Sequence, residues 1–262
     1  MELATVLYSV ENKIATIIMN QPKALNPMND ASMDDMLTAL NMAAADPEVK
    51  GVVLRGAGRA FCGGGDINFF VDATKEPNFG LAPLVAKVGK VVCAIRAIPK
   101  PVICAVQNAA AGGGCNLALA CDYVVAADNA KFIEAFVNIG LAPDTGGVYF
   151  LPRLVGPQRA FEILSSGRPV GAEEALKLGM VSEVVELDKL EERAYALAAK
   201  YAAGPSVAYA NLKKMMNRSI YPDLEDYLRL EALCMDECSK TEDFVEGITA
   251  FKEKRKAVYQ GK

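Results

Sequence analysis

The chain has 262 residues, with 28 Lys plus Arg against 32 Asp plus Glu and a formal net charge of −4, so it offers no basic surplus of the kind that neutralises nucleic-acid phosphates. Histidine and tryptophan are both absent. This excludes Ser-His-Asp and Cys-His catalysis within the chain, the helical zincin motif and every imidazole metal site. Any chemistry must therefore rest on carboxylates, Lys, Tyr, Cys, backbone amides or a bound cofactor. The opening Met1-Glu2-Leu3-Ala4 lacks a basic segment followed by an apolar one, so it does not read as a secretory signal. The longest apolar region, residues 101–127, is interrupted by Gln107, Asn108, three glycines, Asn116 and Asp122. A membrane span needs roughly 20 predominantly apolar residues, and this region reads instead as buried core. The seven cysteines form no CxxC pair, which fits reduced, buried thiols in a cytoplasmic protein.

In chain order, residues 5–10 and 15–19 are rich in β-branched and apolar side chains and predict strands. Met33, Met36, Leu37 and Leu40 recur at helical spacing within 29–45. Residues 51–54 predict a strand, followed by a glycine-rich loop. A helix is expected over 85–97, a strand over 101–106, a second glycine-rich loop, a small-residue helix over 114–120 and a strand over 123–127. Alternating strands and helices predict an α/β architecture. From about Leu187 strand signals stop, and helices are expected over 189–203, 206–218, 223–238 and 241–258, punctuated by Gly204-Pro205 and Tyr221-Pro222. A division into a core, 1–196, and a helical region, 197–262, follows. The tail is too short for a robust core of its own and must dock on its own body or on another subunit.

The two glycine-rich loops, Phe61-Cys62-Gly63-Gly64-Gly65-Asp66 and Ala111-Gly112-Gly113-Gly114-Cys115, each follow a strand. Glycine lets a backbone approach a ligand closely and leaves its N–H uncovered. The second loop opens a helix, whose first amides lack intrahelical partners and carry partial positive charge. Two such loops can aim two N–H groups at one developing oxyanion. Tight turns and close packing explain either loop alone equally well. Neither matches the dinucleotide fingerprint or the P-loop.

Pro22-Lys23-Ala24-Leu25-Asn26, residues 60–67, residues 108–122, residues 140–147 and the terminal Ala250-Phe251-Lys252-Glu253-Lys254-Arg255 together resemble the crotonase (enoyl-CoA hydratase/isomerase) superfamily, in order and with matching gaps. The resemblance implies a spiral of ββα turns, a C-terminal helical trimerisation region and a homotrimer or hexamer. It also implies an acyl-CoA thioester substrate with no metal or redox cofactor, coenzyme A being part of the substrate, and no nucleic-acid or membrane partner. By motif position the family's oxyanion-hole amides fall on Gly65 and Gly113, in agreement with the reading of the loops. Such a hole suits a thioester, whose α-proton is acidic only when the enolate oxygen is stabilised. Losing one donor typically costs about 3–4 kcal/mol of barrier.

Function then turns on the carboxylates. The family's hydratases hold and activate one water with two glutamates, and those positions are occupied here by Asn116 and Phe136. Asn116 can position water but cannot accept a proton, and Phe136 can do neither. The next carboxylate is Asp144. Taken alone, Asp before Thr-Gly-Gly reads as a helix N-cap. In its wider setting, residues 135–144 and 151–156 resemble the ring-1,2-epoxyphenylacetyl-CoA isomerase branch, which also acts on 3-enoyl-CoA and uses an Asp at this position as acid/base. The 4-chlorobenzoyl-CoA dehalogenases place a nucleophilic Asp in the same region, but their histidine and tryptophan are missing. Glu134 competes with Asp144: if the local strand is extended, residues 134 and 136 share a face and Glu134 can reach the cavity, as a candidate acid/base or water-positioning group; the alternative is a solvated or salt-bridged surface group.

These readings predict a proton shuttle in which Gly65 and Gly113 hold the thioester oxygen and Asp144 moves the proton, with its carboxyl raised by Phe136, Leu141 and Ala142 around the acyl group. Lys23, Ala24, Leu25, Phe61, Cys62, Gly63, Gly64, Asp66 and Ile67 match the family's CoA-binding segments. Asp66 itself reads as bonding loop amides in an Asx-type turn. Phe251 and Lys254 match C-terminal positions that reach CoA, often from a neighbouring subunit, although Lys23 and Lys254 read equally well as surface lysines. Tyr149 and Tyr259 fit either the site or ordinary packing. Residues 69–83 and Ala109 to Ala111 are expected to shape the acyl pocket. Two alternatives stay open: a hydratase or hydrolase using Asn116 or Glu134 to orient water, and an acyl-CoA-binding subunit without catalysis.

Overall fold

Two runs rich in β-branched residues, β1 (Val6–Glu11) and β2 (Ile14–Met19), pair antiparallel across the tight turn at Asn12 and Lys13, both left-handed. The computed structural model describes residues 3–76 and 79–262. Helix α1 (Asp30–Ala45) follows, with Asn29 and Ser32 forming a reciprocal capping box at its start. Strand β3 (Gly51–Gly56) leads into the first glycine loop, the short helix α2 (Ile67–Ala73) and the longer α3 (Ala82–Ala97). The second glycine loop lies between β4 (Val102–Val106) with its short successor β5 (Ala109–Ala111) and helix α4 (Gly113–Leu119). Then come β6 (Tyr123–Ala127), β7 (Lys131–Ile133), a 3-10 turn over Ala135–Ile139, α5 (Gly147–Val155), α6 (Pro157–Ser166), β8 (Pro169–Gly171), α7 (Ala172–Leu178) and β9 (Glu183–Val185). The chain ends in α8 (Leu190–Ala202), α9 (Ser206–Ile220), α10 (Leu224–Ser239) and α11 (Glu242–Glu253).

The main sheet runs β1-β2-β3-β4-β6-β9, parallel beyond the first pair, and β5, β7 and β8 form a second, three-stranded sheet. Alternation along the strands separates two cores. Val102, Cys104 and Val106 face one core with the buried sides of α1 and α3, and Ile103 and Ala105 face the other, which Leu190, Ala194, Leu197 and Ala198 of α8 close. The α/β expectation holds. Strands β5, β7, β8 and β9 have three residues each, too short to show a period of two, and were not legible in the sequence. The boundary expected after residue 196 falls inside α8. Because α8 covers the sheet, the helical appendage begins with α9.

Lys100, 9% exposed, reaches back to the end of α1, where its ammonium donates to the carbonyls of Ala43, Ala44 and Asp46. It thereby satisfies carbonyls that a helix C-terminus leaves unpaired. Lys100→Met is expected to lower stability by about 1–3 kcal/mol, read as a lower urea midpoint at unchanged slope.

The tail docks through two kinds of contact. Helix α9 meets the body through the buried Lys213 ammonium, which reaches Asp122 before β6, and the half-buried Asn217 amide, which reaches Arg96 on α3. Helices α10 and α11 use apolar faces. Leu228 packs on Gly89 of α3, Gly247 packs on Ile139, and Phe244 packs edge-on to Phe70 of α2 and parallel to Phe79. Of the stretch 69–83, residues 69–73 are helical, 82 and 83 open α3, and Pro77 and Asn78 lie outside the described residues. Among the described residues no helix is long and apolar enough to cross a membrane. All seven cysteines are free; Cys62, Cys104, Cys115 and Cys121 are buried, whereas Cys234 is exposed.

Candidate active site

The two glycine loops are laced together. Cys62 N–H donates to Ala109 O at 3.1 Å and Ala111 N–H donates to Cys62 O at 2.9 Å. Gly64 sits at φ 89°, and a Cβ there would come within 2.7 Å of Ala111 O, so only glycine permits this approach. The loop before α1 closes against the first of them: Gly63 N–H donates to Leu25 O and Met28 N–H to Gly64 O, while the Asn26 amide donates to Ala57 O, Ala60 O and Phe61 O. Gly113 opens α4 with Met28 Sδ and Thr145 Oγ1 crowding its α-carbon. Among the described residues no carbonyl takes the Gly65 or the Gly113 N–H. The two expected amide donors thus sit on neighbouring loops that are hydrogen-bonded to each other.

Asp144 stands beside this frame. Asn116, fully buried on α4, donates Nδ2 to Asp144 O at 2.8 Å, and Thr145 Oγ1, packed against Gly113, donates to Asp144 Oδ1 at 2.6 Å. Asp144 caps no helix with its side chain, since the N-cap of α5 is Gly146 and makes no side-chain bond. The residue keeps some surface open to the site, but the protein packed around its carboxyl pushes the pKa up to about 6, an effect the Thr145 hydroxyl partly offsets. At neutral pH the carboxyl is mainly ionised.

Glu134 departs from the expectation of a surface group. It is 1% exposed, and it is not in an extended strand either, because β7 ends at Ile133 and the chain coils from Ala135. The alternation argument that placed residues 134 and 136 on one face therefore fails, yet both residues face inward, Phe136 with its ring against Gly112. Burial pushes the Glu134 carboxyl up to about 8, the hydrogen bonds of Cys115 and Asn116 offset this in part, and the Asp144 charge adds to it. A third buried carboxyl, Glu231 on α10, was missed. Its Oε2 accepts the Gly146 N–H at 2.9 Å, and burial, with smaller contributions from Asp144 and Glu134, pushes it up to about 8 against the lowering effect of that bond. Sequence signals for both existed: Glu134 interrupts the apolar run 132–137, and Glu231 falls on the same helical stripe as Leu228, Ala232 and Met235.

The remaining expected residues divide by position. Lys23 and Ala24 are exposed in a 3-10 turn that left-handed Leu25 ends. Phe61 and Cys62 are wholly covered, so they support the expected CoA-binding loop from beneath, and Gly63 is its exposed residue. Gly64 is buried between the loops, and half-buried Ile67 opens α2. Asp66 caps α2, with Oδ1 accepting Asn68 N–H and Phe69 N–H at 3.0 and 3.2 Å, the Asx-type bonding read from the sequence. Leu141 is buried and Ala142 half-buried beside the Asp144 turn. Phe251 and Lys254 are exposed at the end of α11. Tyr149 packs on Tyr227 and donates to Pro222 O, and Tyr259 donates to Asn138 O, so both are packing groups.

Two glycine loops with uncovered amides and a carboxylate beside them thus lie on an α/β body with a helical tail. The Enoyl-CoA hydratase/isomerase family profile matches residues 9–262, and the chain belongs to that family, with its crotonase fold. A probable enoyl-CoA hydratase of Rhodobacter capsulatus is 38% identical over 262 residues, covering 100% of both chains. The 1,2-epoxyphenylacetyl-CoA isomerase of Escherichia coli is 36% identical over 265 residues, covering 98% of each. The crystal structure of an enoyl-CoA hydratase from Mycobacterium avium subsp. paratuberculosis superposes with a TM-score of 0.90 at 33% identity, covering 99% of this chain and 100% of that one.

Proposed function

We propose that the protein is an acyl-CoA isomerase that moves a double bond, or rearranges a ring epoxide, through a thioester (di)enolate. In the double-bond reaction the Gly65 and Gly113 N–H groups hold the thioester oxygen. Asp144 takes the C2 proton of a 3-enoyl thioester, the electron pair spreads over the dienolate, and the protonated Asp144 delivers the same proton to C4. The observation that carries this reading is Asp144 itself, its carboxyl hydrogen-bonded by Thr145 beside Gly113 and its carbonyl by Asn116, while Asn116 and Phe136 stand at the positions where a hydratase of the family places its glutamates. Phe136 and Leu141 keep the surroundings apolar, which holds the acid/base near neutral titration and excludes water from the dienolate.

Lys23, Leu25, Gly63 and Ile67 form the CoA-binding edge, with Phe251 and Lys254 meeting CoA from a neighbouring subunit. The exposed apolar side chains of Val207, Met215, Leu230 and Leu233 on α9 and α10 support a homotrimer or a hexamer. The shuttle itself calls for no metal or redox cofactor, and a cytoplasmic acyl-CoA pool fits the substrate.

Hydration is the second reading. Glu134 Oε1 and Asn116 Oδ1 are buried without a hydrogen-bond partner among the described residues, a polar spot of the kind that holds a water. Burial pushes the Glu134 carboxyl up to about 8, however, which favours its protonated form at neutral pH over the base that hydration needs. Mass-resolved product analysis in deuterated water, with 3-enoyl-CoA and 2-enoyl-CoA supplied separately, distinguishes the two. The double bond is expected to move without gain of water at pH 7. A hydrated product at that pH would overturn the isomerase reading in favour of Glu134 and Asn116.

A further inference from the structure

The turn that carries Asp144 is held against its own conformational preference. Thr145 is β-branched, 1% exposed and left-handed at φ 58°, a conformation that costs such a residue about 1–3 kcal/mol. Gly146 follows at φ 79°. Three hydrogen bonds that fix the turn arise within it or from α4: Asn116 Nδ2 to Asp144 O, Gly147 N–H to Asp144 O and Thr145 Oγ1 to Asp144 Oδ1. The fourth comes from 85 residues along the chain, where Glu231 Oε2 accepts the Gly146 N–H at 2.9 Å.

Glu231 occupies a costly place. It is 4% exposed, on the buried stripe of α10 between Leu228 and Met235, and its Oε1 has no partner among the described residues. An apolar side chain there would avoid the desolvation of a carboxyl. The contacts that offset this cost are the bond to Gly146, at the N-terminus of α5, and a smaller contribution from the Tyr227 hydroxyl.

We propose that Glu231 is the positioning residue for Asp144: by holding the Gly146 N–H it locks the left-handed Thr145–Gly146 turn and so fixes the Asp144 carboxyl beside Gly113. The inference rests on the assignment of Asp144 as acid/base. It makes a helix of the C-terminal tail part of the catalytic frame, so that docking of α10 completes the site. Thioester binding by the glycine loops does not depend on this contact.

Glu231→Leu, Glu231→Gln and Asp144→Asn are compared for steady-state isomerisation of 3-enoyl-CoA, with thermal unfolding and amide exchange at Gly146 as companion measurements. Glu231→Leu, which keeps an apolar filler on the stripe, is expected to lower kcat on the order of 10- to 100-fold with KM within about threefold, and to speed exchange at Gly146. Glu231→Gln, whose amide oxygen can still accept the Gly146 N–H, is expected to recover most of kcat. Wild-type kcat in Glu231→Leu would overturn the proposal, and so would a Glu231→Gln enzyme as impaired as Glu231→Leu. If Glu231→Leu fails to fold, Glu231→Asp replaces it: a tenfold loss of kcat at constant KM supports the proposal, and wild-type kcat overturns it. Asp144→Asn separates the two layers. If it is fully active, the acid/base assignment fails; if it is inactive while Glu231→Leu is wild type, only the positioning role fails.

Discussion

Asp144→Asn removes the proton acceptor and is expected to lower kcat on the order of 10³-fold, in the range typical of a lost general base, while KM for the thioester changes little because the oxyanion amides and CoA contacts persist. In the wild type the carboxyl must be ionised to accept the proton, so kcat/KM should rise with pH through about 6 and then level off. Stability moves the other way. Inside the fold the group holds its proton up to about 6, whereas in the unfolded chain it releases it near the ordinary value of about 4. Between those values the folded state binds more protons than the unfolded one, so stability falls as pH rises through this window. Asparagine removes that dependence and still accepts the Thr145 hydroxyl. The variant is therefore expected to melt at or above the wild-type temperature at pH 7 while nearly inactive. An enzyme that lost activity and stability together would show that Asp144 is a structural group.

Asp122→Ala has the largest expected effect on stability. The carboxylate of Asp122 accepts from Arg96 Nη1 at 3.0 Å, Lys213 Nζ at 2.6 Å and Val102 N–H at 2.9 Å. Both cations are buried, with side-chain exposures of 8% and 7%. Removing the acid strands two buried positive charges, which costs about 3–5 kcal/mol and lowers the melting temperature by roughly 10 °C. The two cations are shielded from solvent while the Asp122 side chain is 21% exposed, so added salt should reduce the difference only in part. Adding Lys213→Met in the same background should recover part of the loss by removing one stranded charge. A loss below about 1 kcal/mol, typical of surface pairs, would show that α9 is held by other contacts. None of the three hydrogen bonds of Asp122 reaches Gly65, Gly113 or Asp144, and kcat of the folded fraction should stay near wild type.

The placements that the sequence misjudged share a physical cause. Glu134 lies in a segment whose geometry alternation cannot describe, because a 3-10 turn begins one residue later and Gly140 ends it in a left-handed conformation. In the fold it meets the Cys115 and Asn116 side chains of α4, 19 and 18 residues back in the chain. Phe61 and Cys62 were expected at a ligand surface because they sit in the loop motif. The hydrogen bonds of Asn26 and Gln107 to that loop instead fold their side chains inward. Asp66 was legible, since an aspartate two and three residues before exposed amides closes a local ring that needs no tertiary partner.

What the sequence by itself determined is local or compositional: the absence of histidine chemistry, the alternating α/β body, the helical tail, the two glycine loops with their free amides, and an aspartate in a Pro-Asp-Thr-Gly-Gly turn as the candidate base. Each depends on residue type and spacing within a few positions of the chain. What only the tertiary structure decided is the charge on the carboxyls and the company they keep. Three of them, Glu134, Asp144 and Glu231, come from a strand end, a turn and the tail helix, and their raised pKa values arise first from burial. Burial is set by which distant elements pack together, and no window of sequence contains that information.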